Sequence, residues 1–60
     1  MEYTILEMVK CVRREIGQRK RVYRRLVEAG KMSEADAQRE IGLMEAIGEN
    51  LESQQQAKLF

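Results

Sequence analysis

The sequence predicts an all-α protein whose fold is an antiparallel helical hairpin of two long helices. In two segments of the chain, apolar residues recur at alternating steps of four and three, which is the spacing of an amphipathic helix. The 60-residue chain contains no proline to interrupt either segment. A connection of only about three residues joins the two segments, and so short a link places consecutive helices side by side and antiparallel.

The first helix is expected near residues 4–29. Thr4 followed by Glu7 matches the capping box of a helix start, and Gly30 suits the position just past a helix end. One side forms an apolar seam that only Arg19 interrupts, and its members are Ile5, Val9, Val12, Ile16, Tyr23 and Leu26. The opposite side is basic and carries Lys10, Arg13, Arg14, Arg21, Arg24 and Arg25.

The second helix is expected near residues 33–52, with Ser33 as its N-cap and Asp36 as the partner three residues on. Its seam consists of Ala37, Ile41, Met44, Gly48 and Leu51, with Leu43 and Ile47 on one flank. Residues 1–52 then form the hairpin, and residues 53–60 are predicted to be a polar C-terminal tail.

Folding the chain about its turn pairs Val22 with Ile41 and Ile16 with Ile47. The start of the first helix then lies beyond the well-patterned part of the second helix, and its apolar side chains need either the 53–60 tail or another chain to cover them. A two-helix hairpin of this size also buries little apolar surface. We therefore expect completion by a partner or by a homodimer, through an interface of Ile5, Val9, Val12, Ile16, Gly48 and Leu51.

Composition excludes several classes of function. No apolar run approaches the roughly 18 residues needed to cross a bilayer, and the charged N-terminal residues do not form a signal peptide. Cys11 is the only cysteine and there is no histidine, so neither a disulfide, a zinc site nor any cofactor is expected. Cys11 is expected to be a small buried side chain. Without a nucleophile–base pair or a phosphate-binding loop, the chain is predicted not to be an enzyme, and to be cytoplasmic.

The net charge of +1 hides a separation of charge along the chain. Residues 10–25 contain eight basic residues and one acidic residue, whereas residues 34–52 contain six acidic residues and one basic residue. This pattern indicates either two helices that complement each other or a basic face that binds a partner. Arg19 is expected to pair with Glu15 or Glu45. The candidate binding residues are Arg13, Arg14, Arg21, Tyr23, Arg24 and Arg25.

The runs 13–16, 19–27, 30–32, 40–41 and 44–47 resemble a family of small, uncharacterised helical proteins encoded in phages and prophages of proteobacteria. Arg19, Val22, Tyr23, Arg25 and Val27, followed by a glycine and a methionine in the turn, carry the resemblance. Family members typically have a proline just after the tyrosine, and its absence here leaves open whether the first helix is straight or bent. The resemblance implies a phage protein in the host cytoplasm but no assigned activity.

Two kinds of partner fit this sequence. Small phage helical proteins often bind and block a host protein, including defence complexes, so an anti-CRISPR-like inhibitor that docks its basic face on an acidic host surface is the first hypothesis. The alternative is a small nucleic-acid-associated protein that binds backbone phosphates through the same face. Neither hypothesis involves a membrane.

Overall fold

Two long antiparallel helices make up the molecule. A computed structural model describes residues 2–58 of the chain, and side chains over residues 2–55. Helix α1 spans Ile5–Glu28 and helix α2 spans Glu34–Lys58. The two helices pack against each other in a hairpin that is 46 Å long, which confirms the predicted all-α architecture.

Both helices start at the predicted caps. The backbone amide of Glu7 donates a hydrogen bond of 3.1 Å to Thr4 Oγ1. The backbone amide of Asp36 donates a hydrogen bond of 3.0 Å to Ser33 Oγ. Each side-chain oxygen thus satisfies one of the amide groups that the first turn of a helix leaves without a partner.

The turn begins at Gly30, whose positive φ of 72° is the left-handed conformation that favours glycine. The amide of Gly30 donates to the carbonyl oxygen of Val27 at 3.0 Å, and the amide of Lys31 donates to that of Leu26 at 2.8 Å. These two bonds form a Schellman motif, which ends α1 where the sequence predicted and turns the chain back toward α2.

The core is a single seam between the helices. Among the described side chains, Ile16 is the one buried apolar side chain, with 5% of its surface exposed. Gly48 is also buried. The other seam positions predicted from the sequence are partly buried, and they are Ile5, Val9, Val12, Tyr23, Leu26, Ala37, Ile41, Met44 and Leu51.

Helix α2 is longer than expected, because it continues through residues 53–58, where a polar tail was predicted. Residues 59 and 60 lie outside the described part of the chain. Neither glycine nor proline occurs between residues 53 and 58 to end the helix. The extension lies alongside the start of α1 and leaves Ile5 and Val9 partly buried, so these residues lie opposite a helix and not opposite an irregular tail.

Two other expectations need correction. Val22 and Ile47 were placed in the seam pairs, yet each is 49% exposed. Cys11 was expected to be buried and is exposed. All three side chains lie to one side of the seam because the helices meet along a narrower stripe than the apolar pattern suggests.

Helix α1 runs unbroken through Arg24. At this position, one residue after the tyrosine, the phage proteins that the sequence resembles typically carry a proline.

Candidate binding surfaces

One broad side of the hairpin, which we call the charged face, carries the ion pairs that join the two helices. Arg13 Nε donates to Glu52 Oε1 at 2.6 Å, and Lys20 Nζ lies 3.9 Å from Glu45 Oε2. Arg13 was a candidate binding residue, but the structure engages it with α2. For Arg13, therefore, the charge separation along the chain reflects two helices that complement each other.

Arg14, Arg21 and Arg25 lie on the side of α1 away from α2, and Arg24 lies at the margin of that side. We call these four residues the outer arginines. All four are exposed, and none forms a salt bridge with a side chain of residues 2–55. Arg14 makes only a long contact of 3.9 Å with Cys11 Sγ. By the rise of a helix, Arg14 and Arg25 are about 16 Å apart along α1. The outer arginines thus form an extended cationic surface that the hairpin does not neutralise.

Arg19, the charge within the seam, lies at its edge. Its Nη1 donates to the Tyr23 hydroxyl at 3.2 Å, and its Nε lies 3.7 Å from Glu15 Oε1. The bond to Tyr23 and the nearby carboxylates of Glu15 and Glu40 raise the pKa of Arg19 above its ordinary value. The expected pairing of Arg19 with Glu15 is therefore present, whereas the alternative partner Glu45 pairs with Lys20.

Tyr23 shares a groove with Arg24 but is separated from the other three outer arginines, although the sequence grouped it with all four. It lies partly buried in an open groove of about 540 Å³ between the C-terminal part of α1 and the N-terminal part of α2. Arg24 and Lys20 line the α1 side of this groove, and Glu34 and Glu45 line the α2 side. The sequence predicted no depression of this size. Helical periodicity assigns residues to faces, but it does not give the angle at which two helices cross.

The opposite broad side is apolar, and its position follows from the ion pairs. A step of two residues turns a helix by about 200°, so it leads from one broad side of the hairpin to the other. Val22 lies two residues after Lys20, and Leu43 lies two residues before Glu45; Ile47 follows Leu43 by one turn. We call Val22, Leu43 and Ile47 the apolar face, and each of the three is 49% exposed.

No family model, curated protein or solved structure matches this chain. The resemblance to small phage proteins therefore stays a prediction. Within residues 2–58, neither helix is long and apolar enough to cross a membrane. The same part of the chain contains no group of three or more His, Cys, Asp or Glu side chains that could hold a metal ion. What the fold and its surfaces define is an all-α hairpin with a cationic outer side and an apolar face.

Proposed function

We propose that this protein is a small, phage-type interaction module that binds an acidic surface of a host protein through the outer arginines. Such binding would block a host protein or defence complex, as an anti-CRISPR-like inhibitor does, in the host cytoplasm and without catalysis by this chain. The observation that supports the proposal is that four exposed arginines on one helix form no ion pair with any described side chain.

The basic residues of α1 fall into two groups, those that pair with α2 and those that do not, and this difference supports the assignment. Arg13 and Lys20 face the acids of α2 and hold the hairpin together, whereas Arg14 and Arg21 point away from both helices. An unpaired guanidinium keeps its five donors free for carboxylates, which it binds with two parallel hydrogen bonds. Because α1 is continuous over Ile5–Glu28, the backbone positions of these arginines are held at fixed spacing before a partner arrives, which limits the entropic cost of association to ordering their side chains.

Nucleic acid is the second candidate partner, since phosphates also bind arginines that follow one helix face. Base recognition and binding to single strands usually add aromatic side chains on which bases stack. Tyr23 cannot serve Arg14, Arg21 or Arg25 in this way, because its ring lies in the groove beside Arg24 and its hydroxyl accepts a bond from Arg19. This separation favours a protein surface over a nucleic acid.

Capture of the partner from a bacterial host lysate tests the proposal, using the immobilised wild type and two variants of equal charge. The test variant carries Arg14→Glu and Arg21→Glu, in the middle of α1. The control variant carries Lys31→Glu and Arg39→Glu, which are exposed positions on the turn and on α2. Both variants lose the same amount of positive charge. We expect the wild type and the control variant to capture the same host protein, and the test variant to lose it.

Nuclease treatment and salt distinguish the two kinds of partner. Capture that disappears after nuclease treatment, and whose affinity falls steeply as salt rises, would identify nucleic acid as the partner. Capture that survives nuclease treatment and depends on Arg14 and Arg21 supports a host protein. Equal capture by both variants would contradict the role of the outer arginines.

A further inference from the structure

The hairpin leaves an unusual amount of apolar surface without a cover. Ile16 is the one buried apolar side chain in the described part, and Val22, Leu43 and Ile47 are each 49% exposed. The chain of 7.0 kDa exposes 4986 Å², whereas the size dependence of monomeric proteins gives about 4,000 Å² for that mass. Part of this excess of total surface follows from the elongated shape of the hairpin, which measures 46 × 18 × 15 Å, and its size is comparable with the roughly 800 Å² that each partner contributes to a standard protein interface.

The apolar faces of two copies of the hairpin can cover each other. Since Lys20 lies beside Glu45 and Gly48 lies against Val12, Val22 and Leu43 of the antiparallel helices lie within about 8 Å of each other in height along the hairpin. If a twofold axis runs parallel to the helices, α1 of one copy lies over α2 of the other at matching heights. Val22 of each copy then packs on Leu43 of its partner, with Ile47 one turn further along the same interface.

We propose that a second copy of this chain covers the apolar face, forming a four-helix bundle in which both turns lie at the same end. The interface expected from the sequence is replaced, because Val12, Ile16 and Gly48 are already used inside the hairpin. In the proposed dimer, the apolar face forms the interface in place of those residues. This proposal does not depend on the function of the outer arginines, which lie on the outside of such a bundle.

Charge selects this arrangement over the other symmetric one. Helix α1 contains eight basic and three acidic residues, whereas α2 contains six acidic and two basic residues. An axis parallel to the helices places each basic helix over the acidic helix of the partner. An axis perpendicular to the helices would place α1 on α1 and α2 on α2, with the turns at opposite ends, and like charges across an interface oppose association.

Sedimentation equilibrium of the full chain at micromolar concentrations tests the interface with a matched pair of variants. Leu43→Asp puts a charge on the apolar face, whereas Leu6→Asp makes the same change at a side chain that is 46% exposed and lies two helical turns before Arg13, on its side of α1. We expect the wild type and Leu6→Asp to be dimers. Leu43→Asp should raise the dissociation constant by about tenfold or more, because an aspartate would be buried without a partner.

Two results would overturn the interface. One is a wild type that stays monomeric at 100 µM, and the other is an equal loss of dimer in both variants. A milder change, Ile47→Ala, tests the same interface in case the Leu43→Asp variant does not fold. It should leave the helical circular dichroism in place and still weaken the dimer relative to the wild type, and an unchanged dimer would contradict the proposal.

A distance between the two turns tests the arrangement separately. In a Cys11→Ala background, Lys31→Cys places one spin label on the turn of each copy. Turns at the same end predict a distance below about 25 Å, since packed helices lie about 10 Å apart. A distance of about 40 Å would show the turns at opposite ends and overturn the arrangement, because a 25-residue helix is about 37 Å long.

Discussion

Gly48 lies directly against Val12 across the hairpin. A Cβ atom added to the glycine would stand 3.4 Å from Val12 Cγ1 and 3.5 Å from Arg13 Cζ. A hydrogen in place of a side chain at this point lets α2 approach α1 at the level where Arg13 reaches Glu52. This contact therefore links the apolar seam to the ion pair on the charged face.

The first prediction uses this contact and the open surroundings of a second glycine. Gly48→Leu should lower the free energy of unfolding by about 1–3 kcal/mol, because its side chain must push the helices apart. Gly42→Leu serves as the control, since no atom lies within 4 Å of the position of its Cβ, and it should stabilise the helix by about 0.5–1 kcal/mol. Urea unfolding measures both, and equal effects at the two positions would contradict the close contact.

The second prediction concerns the start of α2. Ser33→Ala removes the oxygen that accepts from the amide of Asp36, and it should cost about 1 kcal/mol of stability. Ser33→Asp keeps an acceptor at the N-cap and should retain most of the stability. Ser53→Ala is the matched control inside the exposed part of α2, where alanine should be neutral or slightly stabilising. A cost at residue 53 as large as the cost at residue 33 would rule out the cap.

The third prediction concerns the bond between Arg13 and Glu52. The two side chains keep 42% and 39% of their surface exposed to solvent, so a double-mutant cycle with alanine should give a coupling free energy of about 0.2–1 kcal/mol. The coupling should decrease in high salt, which screens exposed charges. The same cycle on Lys20 and Glu45, which are 3.9 Å apart, should give a smaller value. No coupling for Arg13 and Glu52 at low salt would mean that this pair does not fix the helix register.

The sequence predicted those parts of the fold that depend on local chemistry. The caps at Thr4 and Ser33 and the left-handed Gly30 each depend on residues that are close in the chain, and all three are present in the structure. The seam was also predicted, because apolar spacing follows directly from the helical repeat. These features need no knowledge of how the two helices are rotated against each other.

The features that the sequence did not predict depend on that rotation. Val22 and Ile47 continue the apolar pattern, but they lie to one side of the stripe along which the helices meet and each remains 49% exposed. The groove beside Tyr23 likewise results from the relative placement of the helices. The sequence left open whether residues 53–58 are helical, because polar glutamines give no apolar period although they are good helix formers.

The central claim is that the outer arginines bind an acidic partner, and the affinity of the captured host protein for the two charge-reversed variants tests it most directly. Calorimetry at physiological salt should give a dissociation constant about 30-fold or more above that of the wild type for Arg14→Glu with Arg21→Glu, because buried arginines are typical anchors of interfaces. Lys31→Glu with Arg39→Glu should remain close to the wild type. Unchanged affinity in the first variant, or equal losses in both, would contradict the claim.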